Sequence, residues 1–215
     1  MSLLAVDHLH RSFGGLAALA DVTFRVTAGQ VKAVIGPNGA GKTTLFNLIT
    51  GLIPPSSGQI TFAGTRIAGA QPYQIARLGV ARTFQNLNLF ANMTVLENVM
   101  VGRHCRTRAG ILGAALRLPG QRREECAIRN AALEQLENVG LRERAADPVG
   151  ALSFGQRRMV ELARSLASEP RLLLLDEPAS GLNPRETEDL ADMIRRIRDR
   201  GVKPGGVVAA GQQGR

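Results

Sequence analysis

The sequence has no tryptophan and one tyrosine, Tyr73, among its 215 residues. That scarcity argues against a surface that stacks on unpaired bases, because such surfaces depend on exposed aromatic rings. Cysteine is limited to Cys105 and Cys126, too few and too isolated for a disulfide framework or a thiolate metal site. No stretch approaches the roughly 18–20 apolar residues that a membrane span needs. The dense run Leu172–Leu175 has the length of a buried strand. The first residues, Met1-Ser2-Leu3-Leu4, lack a basic flank and meet Asp7 early, so no signal peptide is expected and the chain reads as cytoplasmic. Lysine is scarce too: Lys32, Lys42 and Lys203 are the only three.

Charge is not scarce. Twenty-seven basic residues against 18 acidic ones leave a formal net charge of +9. A basic balance suits nucleic acid or an anionic membrane surface. Here, however, the arginines are spread along the chain, and those between Arg195 and Arg200 lie on an expected helix where acids interleave. That pattern is expected of a solvated helix face, with a lipid headgroup or a membrane partner as the second reading. Nucleic acid is not expected as a partner.

Alternating apolar residues predict strands at residues 3–7 and 22–26, at Gln59–Phe62 and at Val31–Ile35. A helix is expected from Lys42 to Thr50, closed by Gly51, and a short one at Pro72–Leu78 before a strand at Val80–Phe84. Between residues 94 and 168 the pattern is helical. Thr94 and Glu97 form a capping box, and Arg122–Val139 is amphipathic up to Gly140. Asn183-Pro184-Arg185-Glu186 opens another helix that runs to Gly201. Val202–Arg215, rich in glycine, matches no element, and residues 203–215 are expected to be a poorly ordered tail.

Gly36-Pro37-Asn38-Gly39-Ala40-Gly41-Lys42-Thr43 fits G-x-x-x-x-G-K-[ST], with a strand entering it and a helix leaving it. Polyphosphate is densely charged and must be approached closely. Glycines let backbone N–H groups point inward without a side chain in the way, and the helix turns its positive end to the same place. Lys42 is expected to meet the β and γ phosphates of ATP and Thr43 to give its hydroxyl to Mg2+, with Thr44 beside it as a further nucleotide contact. The second feature is Leu172–Leu175 followed by Asp176-Glu177. An apolar strand that ends in acids places them at the carboxyl edge of a sheet, where ligands of α/β folds bind. Asp176 is expected to support Mg2+ and Glu177 to polarise the attacking water.

Leu152-Ser153-Phe154-Gly155-Gln156 resembles the signature motif of ATP-binding cassette (ABC) ATPases, usually Leu-Ser-Gly-Gly-Gln, with Phe154 in place of a glycine. On physical grounds alone, Ser153 and Gln156 make a capping box, and Ser153 with the Gly155 N–H can serve a second phosphate site. Two further residues match the family by position. Gln85 corresponds to the glutamine loop that senses Mg2+ and couples to the transmembrane partner. Phe13 stands where the family stacks an aromatic on adenine, with a core role as the alternative. Ser180-Gly181-Leu182-Asn183 sits at the family's dimer-contacting loop, with Gly181 and Asn183 departing from the commoner Ala and Asp.

Ala81-Arg82-Thr83-Phe84-Gln85-Asn86, Phe90-x-x-Met93-Thr94-Val95-Leu96-Glu97-Asn98-Val99, Arg11-Ser12-Phe13-Gly14-Gly15 and Gly181-Leu182-Asn183-Pro184 resemble the cassettes of branched-chain amino acid importers. The resemblance implies an α/β fold. Its parts are a P-loop NTPase core with a RecA-like, mainly parallel sheet, an antiparallel β subdomain, and an inserted α-helical subdomain at about residues 88–155 of a cassette spanning 1–202. It implies ATP and Mg2+ as ligands and transport-coupled ATPase activity. The implied partners are transmembrane permeases and a second cassette, alike or different, on the inner face of the membrane. Glu177, Gln85 and Lys42 are its catalytic candidates, and Thr43, Gln85 and Asp176 its metal contacts.

The family also has a strand and a switch histidine after the last helix. The histidines here are His8, His10 and His104, none of them after Glu177. This predicts a truncated or frame-shifted end, a missing sheet strand and slow hydrolysis despite ATP binding. Another transported solute, and a non-transport ABC ATPase, remain as alternatives.

Overall fold

The computed structural model describes residues 2–83, 88–103, 119–199 and 205–211. Two compact units are resolved. The first comprises Met1–Gln85, Pro170–Ser180 and Ile194–Arg215, the second Asn86–Glu169 and Gly181–Met193.

The first unit contains two sheets. Strands β1 (Ser2–Phe13), β2 (Leu16–Thr27), β4 (Ser57–Phe62) and β5 (Thr65–Arg66) pair antiparallel in the order β2-β1-β4-β5. The hairpin β1–β2 is longer than its alternation predicts, because irregularities in its register interrupt the apolar period. The second sheet is parallel, in the order β3-β8-β7-β6, from β3 (Gln30–Ile35), β6 (Val80–Thr83), β7 (Leu172–Asp176) and β8 (Gly206–Gly211). Helix α1 (Lys42–Ile49) buries Phe46, Leu48 and Ile49 in one apolar core with Leu4, Val6, Ile60 and Phe62 of the antiparallel sheet and Leu172, Leu174 and Val208 of the parallel one. Helix α2 (Pro72–Leu78) adds Ile75, and its start is fixed by a capping box between Gln71 and Gln74. Every residue of β7 is buried, as expected of a strand inside a parallel sheet covered on both faces.

Strand β8 corrects the sequence reading. Residues 206–211 are not an unpatterned tail. They lie in the middle of the parallel sheet, with Val207 opposite both Val31 and Leu173, so no strand is missing there. Four apolar residues between glycines give too short a run to stand out. The flanking Gly206 reads as a breaker, yet a Cβ on it would lie 3.1 Å from Leu3 Cδ2 and 3.3 Å from Val26 Cγ1. Close packing, rather than a turn, explains that glycine. Because Val208 is fully buried between β3 and β7, Val208→Asp would place an unpaired charge in the core. It is expected to lower stability by more than about 4 kcal/mol, read by denaturant unfolding. A marginal change would mean that β8 contributes little to the core.

The second unit is helical. Helices α3 (Val95–Arg103), α4 (Pro119–Asn138) and α5 (Phe154–Ala167) pack on one another, and α6 (Pro184–Asp199) starts within it. The expected capping box closes α3: Thr94 N–H donates to Glu97 at 2.8 Å, and the Thr94 hydroxyl accepts from the Glu97 N–H at 3.2 Å. The Thr94 N–H bond first, and then the Thr94 hydroxyl donating to Glu97 Oε2 at 2.9 Å, hold the Glu97 carboxyl below its ordinary pKa. Buried Asn98 accepts from Phe90 N–H at 2.8 Å and donates to the Phe90 and Thr94 carbonyls at 3.1 and 2.9 Å, which ties down the loop before α3.

Candidate functional site

Between β3 and α1, Gly41 takes a left-handed conformation with φ 80°. A Cβ on Gly41 would also lie 2.5 Å from the Ala18 carbonyl oxygen, so both backbone shape and space require glycine. No side chain caps the amino end of α1, and its first N–H groups are left for a ligand. Asn38, Gly39, Gly41, Lys42, Thr43, Thr44, Ala18 and Glu177 line a cleft of about 300 Å³. Of these, Ala18 carries no sequence signal. It arrives by way of the β1–β2 hairpin.

Lys42 is buried and donates to the carbonyls of Gly36 and Pro37 at 2.7 and 2.9 Å, while its Nζ lies 3.8 Å from Glu177. Ala40 N–H donates to the Pro37 carbonyl at 3.2 Å, which closes the turn of the loop. Glu177 follows β7 in a left-handed conformation with φ 47°, a strained state for a side chain with a Cβ and one that collects at functional positions. Its N–H donates to the Ala210 carbonyl at 3.1 Å, so β8 holds the backbone at Glu177 in place.

Asp176 is almost fully buried. Its Oδ2 accepts from Arg82 Nη2 at 2.7 Å, and Arg82 Nη1 donates to Asn47 Oδ1 at 2.6 Å. Asp176 Oδ1 is buried with no hydrogen-bond partner among the described residues. Asp176 is not among the residues that line the cleft, but an orphaned carboxylate oxygen at the carboxyl end of β7 suits a hydrated Mg2+, so its chemistry fits that ion. Arg82 and Asn47 belong to no phosphate-binding motif. The only hint at sequence level is a charged residue inside a short apolar strand.

Phe13 does not line the cleft. It sits at the end of β1, 47% exposed, with the Arg11 guanidinium 4.5 Å from its ring centroid. Ser12 pairs with Ala17, which puts Phe13 near the strand that brings Ala18 to the cleft. If the free face of this ring stacks on adenine, Phe13→Ala should weaken ATP binding about tenfold and leave tripolyphosphate binding unchanged. Competitive titration of the two ligands checks this, and equal losses for both would rule out base stacking.

Ser153, Gly155 and Gln156 lie in the second unit. Ser153 caps α5: its hydroxyl accepts from Gln156 N–H at 3.2 Å, and its own N–H donates to Gln156 Oε1 at 3.0 Å. A Cβ on Gly155 would come within 2.3 Å of Glu186 Oε1, so the turn is closely packed against the start of α6. Phe154 and Gly181, two departures from the commoner pattern, touch each other. A Cβ on Gly181 would lie 3.0 Å from Phe154 Cε1, so the ring takes space that an alanine would need. Gln85 lies outside the described residues.

A phosphate-binding loop, a strand ending in two acids and a capped second helix together define a nucleotide-binding cassette. The family model described as "ABC transporter" matches residues 19–180, and the chain belongs to that family. LivG of Salmonella typhimurium, a high-affinity branched-chain amino acid transport ATP-binding protein, is 42% identical over 92% of this chain and 77% of its own length. BraF of Pseudomonas aeruginosa, described in the same words, is 45% identical over 91% of this chain and 77% of its own length. Among solved structures, an ATP-binding cassette of an ABC transporter in its ADP conformation superposes with a TM-score of 0.84 at 28% identity, covering 100% of this chain and 83% of that one. A bacterial ABC transporter cassette solved as a dimer superposes with a TM-score of 0.78 at 25% identity, over 96% of this chain and 87% of that one. The expected family and fold class are therefore correct.

Proposed function

We propose that this chain is the ATP-binding and ATP-hydrolysing subunit of an importer for branched-chain amino acids, peripheral on the inner face of the membrane. The single observation that carries the ATP reading is the cleft in which Lys42, Thr43 and Thr44 meet Glu177. The loop N–H groups and Lys42 hold the phosphates. Thr43 and Asp176 would hold Mg2+, which when bound would neutralise charge on the β and γ phosphates. Glu177 accepts a proton from the attacking water, and Lys42, whose Nζ lies 3.8 Å from the Glu177 carboxylate, would steady the charge that develops on the γ phosphate. Gln85 is assigned to sensing the metal and coupling to the permease, on the family resemblance alone.

Ser153, Gly155 and Gln156 supply the amino end of α5 to ATP held by a second cassette, of the same or a different chain. The LivG and BraF likeness supports the solute. Among the described residues no helix is long and apolar enough to cross a membrane. The transport role of LivG and BraF supports membrane permeases as partners.

The direct test joins the purified chain with candidate permeases in proteoliposomes. Leucine uptake that requires ATP inside supports the reading, and uptake independent of the chain overturns it.

A further inference from the structure

We infer that Arg82 is a positioning residue that sets the spacing of the two metal contacts, Thr43 and Asp176. The inference rests on the reading of those two residues as the Mg2+ site. The guanidinium is a rigid planar fork, and here its two arms go to different elements. Nη2 holds Asp176 Oδ2 at 2.7 Å, at the end of β7. Nη1 holds Asn47 Oδ1 at 2.6 Å, on α1. Asn47 is four residues after Thr43 on the same helix, so the two share a face one turn apart. One side chain therefore spans from the strand that carries Asp176 to the helix that carries Thr43.

The surroundings keep the fork in place. The Arg82 side chain is 6% exposed and that of Asp176 2%, and the guanidinium lies 5.6 Å from the Phe46 ring centroid. With Oδ2 engaged, Asp176 can present only Oδ1, which has no hydrogen-bond partner among the described residues. Arg82 thus decides which carboxylate oxygen faces a metal and how far that oxygen sits from the Thr43 hydroxyl. Lysine, a point charge, cannot reproduce two divergent bonds of fixed angle.

The experiment separates metal from nucleotide. Mn2+ is titrated by electron paramagnetic resonance into the chain saturated with a non-hydrolysable ATP analogue, and affinity for the same analogue is measured in EDTA. Arg82→Lys should weaken Mn2+ binding by about 10- to 100-fold, the usual cost of losing an outer-shell partner, and Asn47→Leu by about tenfold. Analogue affinity in EDTA should stay within about twofold, because the loop and Lys42 are untouched.

Unchanged Mn2+ affinity in both variants would overturn the proposal, as would a parallel loss of analogue binding in EDTA, which marks a merely structural role. If Arg82→Lys does not fold, Asn47→Leu alone decides, since it keeps the buried ion pair. Thr43→Val and Asp176→Asn serve as controls. If neither control weakens Mn2+ binding, the metal assignment itself has failed, and the role of Arg82 falls with it.

Discussion

Lys42→Ala is expected to weaken ATP binding at least 100-fold, beyond detection in an ordinary titration. Among the described residues that line the cleft, Lys42 is the one full positive charge, so it is the side chain expected to neutralise the phosphates there. A charge-assisted bond in a partly dry site contributes about 1.5–3 kcal/mol, and a polyphosphate makes more than one. At about 1.4 kcal/mol per factor of ten, two such bonds exceed a hundredfold.

The lysine also shapes its own loop, through bonds to the Gly36 and Pro37 carbonyls. Alanine therefore loosens the cradle as well as discharging it. Calorimetry with ATP, and with tripolyphosphate to exclude a base effect, checks the prediction. Circular dichroism confirms that the variant is folded. Unchanged affinity would mean that the phosphates bind elsewhere.

Glu177→Gln should separate binding from chemistry. The amide keeps the size and shape of the side chain and leaves the backbone bond to Ala210 intact, so the site keeps its form. The lost function is proton acceptance, which in general acid–base catalysis is typically worth about 10²- to 10⁴-fold in rate. ATP affinity should hold or rise slightly, because a negative charge near the phosphates is gone. With hydrolysis blocked, two chains closed on ATP should persist as a dimer. Size-exclusion chromatography with and without ATP detects it, alongside single-turnover measurement. Turnover within a few-fold of the parent would show that Glu177 is not the base.

The parts of the site carried by local chemistry were legible without coordinates. The loop Gly36–Thr43 needs glycines where the backbone must turn and a lysine where charge must reach, and those needs leave a pattern in consecutive residues. The caps at Thr94, Ser153 and Asn183 are legible for the same reason, since each is a bond between residues three apart. The apolar run before Asp176 announces a strand buried on both faces.

Parts that depend on distant residues left little trace. Arg82, Asn47 and Asp176 come from three elements, and no local pattern reveals that one guanidinium joins them. Ala18 reaches the cleft only because β2 passes the loop. The segment around Val208 has no pattern in the sequence because its small residues answer to neighbours far along the chain. Leu3 and Val26 crowd Gly206, and β3 and β7 flank the whole strand.

The sequence by itself determined the family, the nucleotide cradle and the caps, because each is fixed by short-range backbone geometry and charge. Only the tertiary structure decided which strand fills the centre of the sheet, what holds Glu177 in its strained conformation, and which oxygen of Asp176 is left for a ligand. Those are matters of packing between segments far apart in the chain.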